Sequence, residues 1–171
     1  MQLFIFWILT FFQLLIGAHC LSMIIPTTNM EDYTEMVQMR FAMQGMCASA
    51  YTLYKKEQEY STNRIVSFTA MGPERIPMGF GEVILRQEGG FINNHPSWYL
   101  RNLYVGEEYR SAGVATSLLS TIIDFVHASH CKSISLEVDK SNVSAQRLYL
   151  KLGFRNVWRG ISFSGWKRME L

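Results

Sequence analysis

The period at which hydrophobic positions recur changes along the chain, and these changes mark the predicted elements. Apolar residues recur at helical spacing over residues 33–43, and a second helical stretch covers residues 48–59. Strand-forming residues then occur in three runs with Gly-, Pro- and Asn-bearing turns between them, at residues 64–71, 78–86 and 98–105. The pattern predicts two helices followed by antiparallel strands of one sheet.

The second half of the chain has a strand–helix–strand pattern. A wide apolar stripe over residues 114–128 predicts a helix with one side buried on the sheet. A short apolar strand follows at residues 133–138, so it should run parallel to the strand that precedes the helix. Asn142 is a good N-cap for a last helix, which Gly153 would end. We therefore predict a mixed α/β fold, with a mostly antiparallel central sheet and flanking helices.

Residues 1–22 form an apolar segment unlike the rest of the chain. The run over residues 3–18 contains no charged residue. It is short for a membrane span, which needs about 20 apolar residues, but long enough for the core of a signal peptide. No Lys or Arg precedes it, and a true start at Met23 is a third interpretation. We expect a signal, an anchor or a mis-assigned start at residues 1–22, and one domain over residues 23–171.

Composition excludes several classes of function. The net charge is only +2 and the basic residues are scattered, which argues against a nucleic-acid-binding protein. The chain has an odd number of cysteines at wide spacing, Cys20, Cys47 and Cys131. This pattern predicts neither a disulfide framework nor a zinc knuckle. His127 and His130 have metal-ligand spacing on a helix, but a zinc site needs three or four ligands. We therefore expect no metal.

A candidate anion site lies where the strand ending at Val105 leads into the helix that starts at Val114. Main-chain N–H groups at a helix N-terminus have no partner within the helix and lie at the positive end of its dipole. Gly113 lets the main chain approach a ligand, Ala115 leaves the first turn uncrowded, and Arg110 adds a cation. The segment can bind a phosphate or pyrophosphate, although an ordinary strand-to-helix turn has the same sequence features.

Two motifs together resemble the GCN5-related N-acetyltransferase (GNAT) superfamily. The first is the loop Arg110-Ser-Ala-Gly-Val-Ala115, and the second is Asn142 followed by Ala145, Leu148-Tyr149, Lys151 and Gly153-Phe154. Their order and approximate spacing are also those of the family. The resemblance implies the acyl-CoA N-acyltransferase fold, with acetyl-CoA as co-substrate and no metal. The second motif is similar to that of the ribosomal-protein-alanine N-acetyltransferase branch.

The resemblance also implies which residues contact acetyl-CoA. The pyrophosphate would be held by six consecutive residues, Arg110, Ser111, Ala112, Gly113, Val114 and Ala115. The two parallel strands would splay around a bulge within residues 102–105, and the pantetheine arm would bind main-chain groups of Leu103, Tyr104 and Val105. Asn142 would contact the remote half of the cofactor, whereas Lys151 is expected at the solvated surface. The first two helices would wall the acceptor site.

Acetyl transfer needs a base for the amine and a donor for the leaving thiolate. Tyr149 lies two helical turns after Asn142, and the family's tyrosine at this place donates to the thiolate; the alternative is a core aromatic. Glu137 is the candidate base, because the similar branch has a proposed base at the matching place, and burial would raise its pKa. A structural carboxylate is the alternative for Glu137, and Glu82 is the alternative base, acting directly or through a water.

The function that these motifs imply is transfer of acetyl from acetyl-CoA directly to a primary amine of a small molecule or a protein N-terminus. The alternative is a non-catalytic acyl-CoA sensor or scaffold on the same fold. The expected partners are acetyl-CoA and an amine acceptor, with no nucleic acid, and the protein is expected as a monomer or homodimer. A cytoplasmic location is expected because acetyl-CoA is cytosolic; the alternative is a membrane anchor through residues 3–18.

Overall fold

The computed structural model describes residues 23–27, 29–62, 64–88, 95–131, 133–157 and 166–171. Its strands are β1 (Met23–Pro26), β2 (Ile65–Met71), β3 (Pro77–Glu88), β4 (His95–Val105), β5 (Ile134–Asp139), β6 (Arg155–Asn156) and β7 (Trp166–Glu170). Its α-helices are α1 (Met30–Met43), α2 (Ala50–Tyr60), α3 (Val114–Ala128) and α4 (Val143–Lys151). The apolar N-terminal segment at 1–22 and the predicted loop at 89–94 lie outside the described residues.

The strands form one sheet in the order β1-β2-β3-β4-β5-β7-β6. Strands β4 and β5 run parallel, with Trp98 opposite Ile134 and Leu100 opposite Leu136. The other neighbouring pairs that the structure describes are antiparallel. Helix α3 connects the parallel pair as a crossover, as its position between two strands requires. The predicted fold class, a mixed and mostly antiparallel sheet with flanking helices, is confirmed.

Helix α3 covers one face of the sheet with its apolar stripe. Leu118, Leu119, Ile122 and Val126 are fully buried and belong to the main core cluster. Full burial of such a side chain contributes about 1.5–3 kcal/mol. The stripe therefore anchors α3, and with it the position of the helix N-terminus.

The residues of β3 explain why two different layers pack on the sheet. A Cβ at Gly81 would lie 2.9 Å from the Ile122 side chain, so the bare glycine allows α3 to approach this face closely. Phe80 and Glu82 point to the other face, where the α1 side chain of Arg40 contacts both. Because side chains alternate along a strand, one face of β3 packs against α3 and the other packs against α1.

Helix α1 closes the second face over a smaller core. Asn29 is the N-cap of α1, and its side chain accepts from the main-chain N–H of Asp32 at 2.9 Å. Tyr33 and Val37 of α1 are buried with Ile65 of β2 in a separate cluster. Helix α2 packs beside α1, with α1 against β3 and α2 against β2.

Both predicted ends of α4 are confirmed. The Asn142 side chain accepts from the main-chain N–H of Ala145 at 3.1 Å. Gly153 has a φ of +95°, and the N–H of Phe154 donates to the Tyr149 carbonyl at 3.0 Å. This is the Schellman arrangement, which a residue other than glycine would strain at the same position. The two caps fix where α4 begins and ends.

Candidate functional site

The parallel strands β4 and β5 separate halfway along their length. Their described pairing ends at Leu100 opposite Leu136, after which β4 contains a bulge. Asn102 has a φ of +55°, and Asn102 and Leu103 together stand opposite Gly81 of β3. The predicted bulge and the predicted splay of the two strands are therefore both present. Beyond the fork, no strand in the described part of the chain pairs with the β5-facing edge of β4.

A cavity of about 700 Å³ fills the fork between the two strands. Its lining comes from the β4 bulge, the end of β5, the start of α3 and one side of α4. The predicted site residues that line it are Leu103, Tyr104, Val105, Arg110, Ala115, Glu137, Asn142 and Tyr149. Residues that the sequence did not single out also line it, among them Arg101, Asp139, Ser144 and Trp166. The fork thus brings the strand and loop residues of the two sequence motifs together.

The loop before α3 gives the cavity an electropositive end. Ser111 and Gly113 have φ values of +64° and +85°, and the helix starts at Val114 without a side-chain cap. The N–H of Ser117 donates to the Gly113 carbonyl at 3.0 Å, which is the first hydrogen bond of the helix. The N–H groups of the first turn that precede Ser117 therefore have no main-chain partner within the helix. Because Ala115 lines the cavity, these donors and the positive end of the α3 dipole lie beside it.

Not all of the predicted loop residues line the cavity. Ser111, Ala112 and Gly113 are exposed in the loop, and Val114 is buried in the core beneath the helix start. Arg110 lies at the cavity, but its side chain donates to the Val105 carbonyl at 3.3 Å and to Glu107 at 3.2 Å. In this arrangement Arg110 braces the loop against the end of β4. Lys151 is exposed, as expected.

Tyr149 lies on the cavity side of α4. Its side chain is buried, packs edge-on against Phe154 at 5.6 Å between ring centroids, and lines the cavity together with Asn142. Burial raises the pKa of the Tyr149 phenol to about 12. The hydroxyl therefore stays protonated at neutral pH and is available as a hydrogen-bond donor.

The expectation that Glu137 is buried is wrong. The side chain is exposed, because Leu136 and Val138 on either side of it point into the core and the strand alternates. Glu137 does lie at the fork, one residue beyond the last described β4–β5 pair, and it lines the cavity. Its position fits contact with a ligand, whereas the burial that we expected for this carboxylate is absent.

Among the residues that the structure describes, Glu82 is the carboxylate that is fully buried, with no exposed side-chain surface. One oxygen accepts from Arg40 at 2.6 Å and the other from Arg101, while Tyr33 and Ser67 also donate to the first. Burial by itself would raise the pKa of Glu82, but the two guanidinium charges outweigh it and hold this pKa below its usual range. Glu82 is therefore an ionised carboxylate at the centre of an ion cluster beneath α1.

The part of the chain that the structure describes contains no group of three or more His, Cys, Asp or Glu side chains that could hold a metal ion. Within the same residues, the structure has no helix with the length and apolar character needed to cross a membrane.

Comparison with known proteins places these features in a family. Residues 33–154 match the model of the acetyltransferase (GNAT) family. An aminoglycoside N(6′)-acetyltransferase type 1 from Serratia marcescens is 27% identical over 100 residues, which are 57% of this chain and 67% of that protein. An uncharacterised N-acetyltransferase from Methanocaldococcus jannaschii is 32% identical over 103 residues, covering 57% of this chain but only 63% of the relative.

Solved structures share the fold. Arabidopsis thaliana NAA60 in complex with acetyl-CoA superposes with a TM-score of 0.64 at 19% identity, over 87% of this chain and 98% of that one. The aminoglycoside 6′-N-acetyltransferase AAC(6′)-Ih from Acinetobacter baumannii gives a TM-score of 0.65 at 18% identity, over 84% and 97% of the two chains. At these identities the similarity establishes the fold, while the family rests on the sequence match.

Proposed function

The chain belongs to the acetyltransferase (GNAT) family, with acetyl-CoA as its co-substrate, and from that premise we propose that it transfers acetyl directly to a primary amine. The acceptor is a small molecule or a protein N-terminus. The observation that carries this proposal is the cavity at the β4–β5 fork, which ends on the uncapped N-terminus of α3. A long ligand with an anionic centre and an amide-bearing arm fits such a site.

Acetyl-CoA would bind with its two polar parts at the two ends of this cavity. The pyrophosphate would accept from main-chain N–H groups of residues 110–115, which form the loop and the start of α3, and there an anion also interacts favourably with the helix dipole. The amides of the pantetheine arm would bond to the free edge of β4 at residues 103–105, like an added strand. Asn142, at the start of α4, would contact the far half of the cofactor.

In the proposed reaction the amine nitrogen attacks the thioester carbonyl, an N–C bond forms and the C–S bond breaks. Tyr149 would donate a hydrogen bond to the leaving sulfur. Since burial raises the pKa of this phenol to about 12, well above the value of about 8.5 for a thiol, donation without complete proton transfer is the better description. Holding both reactants in place would supply most of the remaining rate enhancement.

The proton of the attacking amine would pass to Glu137, which borders the cavity at the fork. Glu82 is less suited to this role, because both of its oxygens are engaged by arginines and its pKa is lowered. We expect Glu137→Gln to lower kcat/KM by about tenfold to a hundredfold, because the amide cannot accept the proton of the amine. An unchanged kcat/KM in steady-state kinetics would exclude Glu137 as the base.

Gly113→Val tests the cofactor site, because a β-branched residue at a φ of +85° strains the loop that presents the α3 N–H groups. We expect the parent to bind CoA in calorimetry and to release thiol from acetyl-CoA when an amine is added. The dissociation constant for CoA should rise at least tenfold in Gly113→Val.

Gly45→Val is the matched control. Gly45 also has a positive φ, of +67°, and open space around its Cβ position, but it follows α1 and does not line the larger cavity. It should therefore bear similar strain and keep the parent's CoA affinity. Equal CoA affinity in the two variants would contradict the proposed site. Binding of CoA by the parent without transfer to any amine would instead support the sensor or scaffold.

We further propose that the acetyltransferase domain covers residues 23–171 and acts in the cytoplasm, where its co-substrate is made. An anchor through residues 3–18 is the alternative. The intact mass of the protein purified from its native cells decides between them, because retention of those residues adds their full mass. Recovery of that longer form from the membrane fraction would refute the cytoplasmic location.

A further inference from the structure

A second, smaller cavity of about 290 Å³ lies between α1 and the β4 bulge. It shares Asn102, Leu103 and Tyr104 with the larger cavity, so the bulge borders both. If a thioester lies in the fork and an acceptor lies in the smaller cavity, the two would therefore meet at these shared residues. The volume is at the low end of the range of about 300–1,000 Å³ for ligand sites, which favours a small acceptor.

The walls of this cavity are largely apolar. Phe80 and Tyr104 stack at 5.5 Å between ring centroids, and the Tyr104 hydroxyl donates to the Met43 carbonyl at 3.3 Å. Val37 and Phe41 of α1 and Leu103 at the bulge also line the cavity. A cavity lined in this way favours binding of an apolar group about as large as an amino-acid side chain.

The charged groups that line the cavity are both cationic, Arg40 of α1 and Lys56 of α2. Arg40 is 8% exposed, and its Nε and Nη2 are buried without a hydrogen-bond partner in the described part of the chain. A buried guanidinium with unmet donors is costly, so an acceptor group placed against it would be stabilised.

The ion cluster beneath the cavity does not neutralise this charge. Its salt bridges join three cations and two carboxylates, namely Arg40, Arg101 and Lys56 with Glu82 and Glu59. One positive charge of the cluster is therefore left over, next to a small apolar cavity. A polycationic amine would be repelled there, whereas one carboxylate would bring the cluster to neutrality.

Building on the proposed function, we propose that the acceptor is a small amino acid-like molecule with an apolar side chain and a free carboxylate. The carboxylate lies toward Arg40 and Lys56, the side chain lies against Phe80 and Phe41, and the amine lies at the β4 bulge. A planar carboxylate suits the guanidinium better than a neutral amide does. This substrate class differs from the polycationic aminoglycosides for which several relatives are named.

Product binding tests the proposal independently of turnover. N-acetylphenylalanine and N-acetylphenylalaninamide are titrated by calorimetry into the full chain, with and without CoA. We expect the carboxylate to bind at least tenfold more tightly than the amide. Equal affinities, or no binding of either compound, overturn the inference. A protein that binds the carboxylate but not CoA would instead sink the proposed function and leave this preference standing.

Turnover gives the second readout. With acetyl-CoA, kcat/KM for phenylalanine should exceed that for spermidine and for neamine at least tenfold, and the reverse order overturns the proposal. In Lys56→Gln the preference for the carboxylate product should fall at least threefold, and Lys56→Arg should restore it. Lys55→Gln is the matched control, because Lys55 packs on the Tyr51 ring and does not line the cavity. An equal loss in both glutamine variants contradicts a role for Lys56.

Discussion

Glu82→Ala is expected to lower the free energy of unfolding by about 3–5 kcal/mol, because it leaves two guanidinium groups beneath α1 without their shared carboxylate. Arg40 is nearly buried, and Glu82 is its salt-bridge partner in the described residues. The loss should appear as a lower midpoint in urea denaturation with an unchanged slope, followed by circular dichroism.

Glu59→Gln is the control for this prediction. Glu59 also pairs with Arg101, at 2.7 Å, but its side chain is 43% exposed. Water screens such a pair, so its loss should cost no more than about 1 kcal/mol. Similar midpoints for Glu82→Ala and the parent would show that the buried cluster does not stabilise the fold.

The effect of Glu82→Ala should also depend on pH in one direction. The pKa of Glu82 is lowered in the folded protein, so its ion pairs stabilise fully above the unfolded value of about 4.3. As the pH falls below this value, the unfolded carboxylate binds a proton first, and the contribution is lost as the pH passes through the folded pKa. The difference in the free energy of unfolding between the parent and the variant should be constant near neutral pH and should become smaller in acid.

Local sequence patterns were sufficient for most of the fold. The period of α3 predicted which of its sides is buried, and the strand–helix–strand order predicted the parallel β4–β5 pair. Asn142 and Gly153 marked the two ends of α4, because N-capping and a positive φ each need a particular residue type. These features depend on neighbours within a few positions, which is why one sequence reveals them.

The candidate site was predictable only where it is local. The loop at 110–115 follows from a short motif and the bulge near Asn102 from the family resemblance, whereas the ion cluster joins residues distant in sequence. Arg40 is 42 positions and Arg101 is 19 positions from Glu82, and no periodic pattern links them. Apolar residues flank Glu137 in a strand, so side-chain alternation predicts its exposure, whereas the expected role as a base implied burial.

Tyr149→Phe is expected to lower kcat by about a hundredfold to a thousandfold while leaving the affinity for acetyl-CoA unchanged, because it removes the donor to the leaving sulfur and retains the buried ring. Stopped-flow thiol release at saturating substrates measures kcat, and calorimetry measures binding.

Tyr99→Phe is the control, since Tyr99 lies on β4 against Arg86 and does not line either cavity. Because the pKa of Tyr149 is raised to about 12, the parent should show no loss of rate from phenol ionisation up to about pH 10. A kcat within threefold of the parent in Tyr149→Phe would assign Tyr149 to core packing, with Phe154, rather than to the reaction.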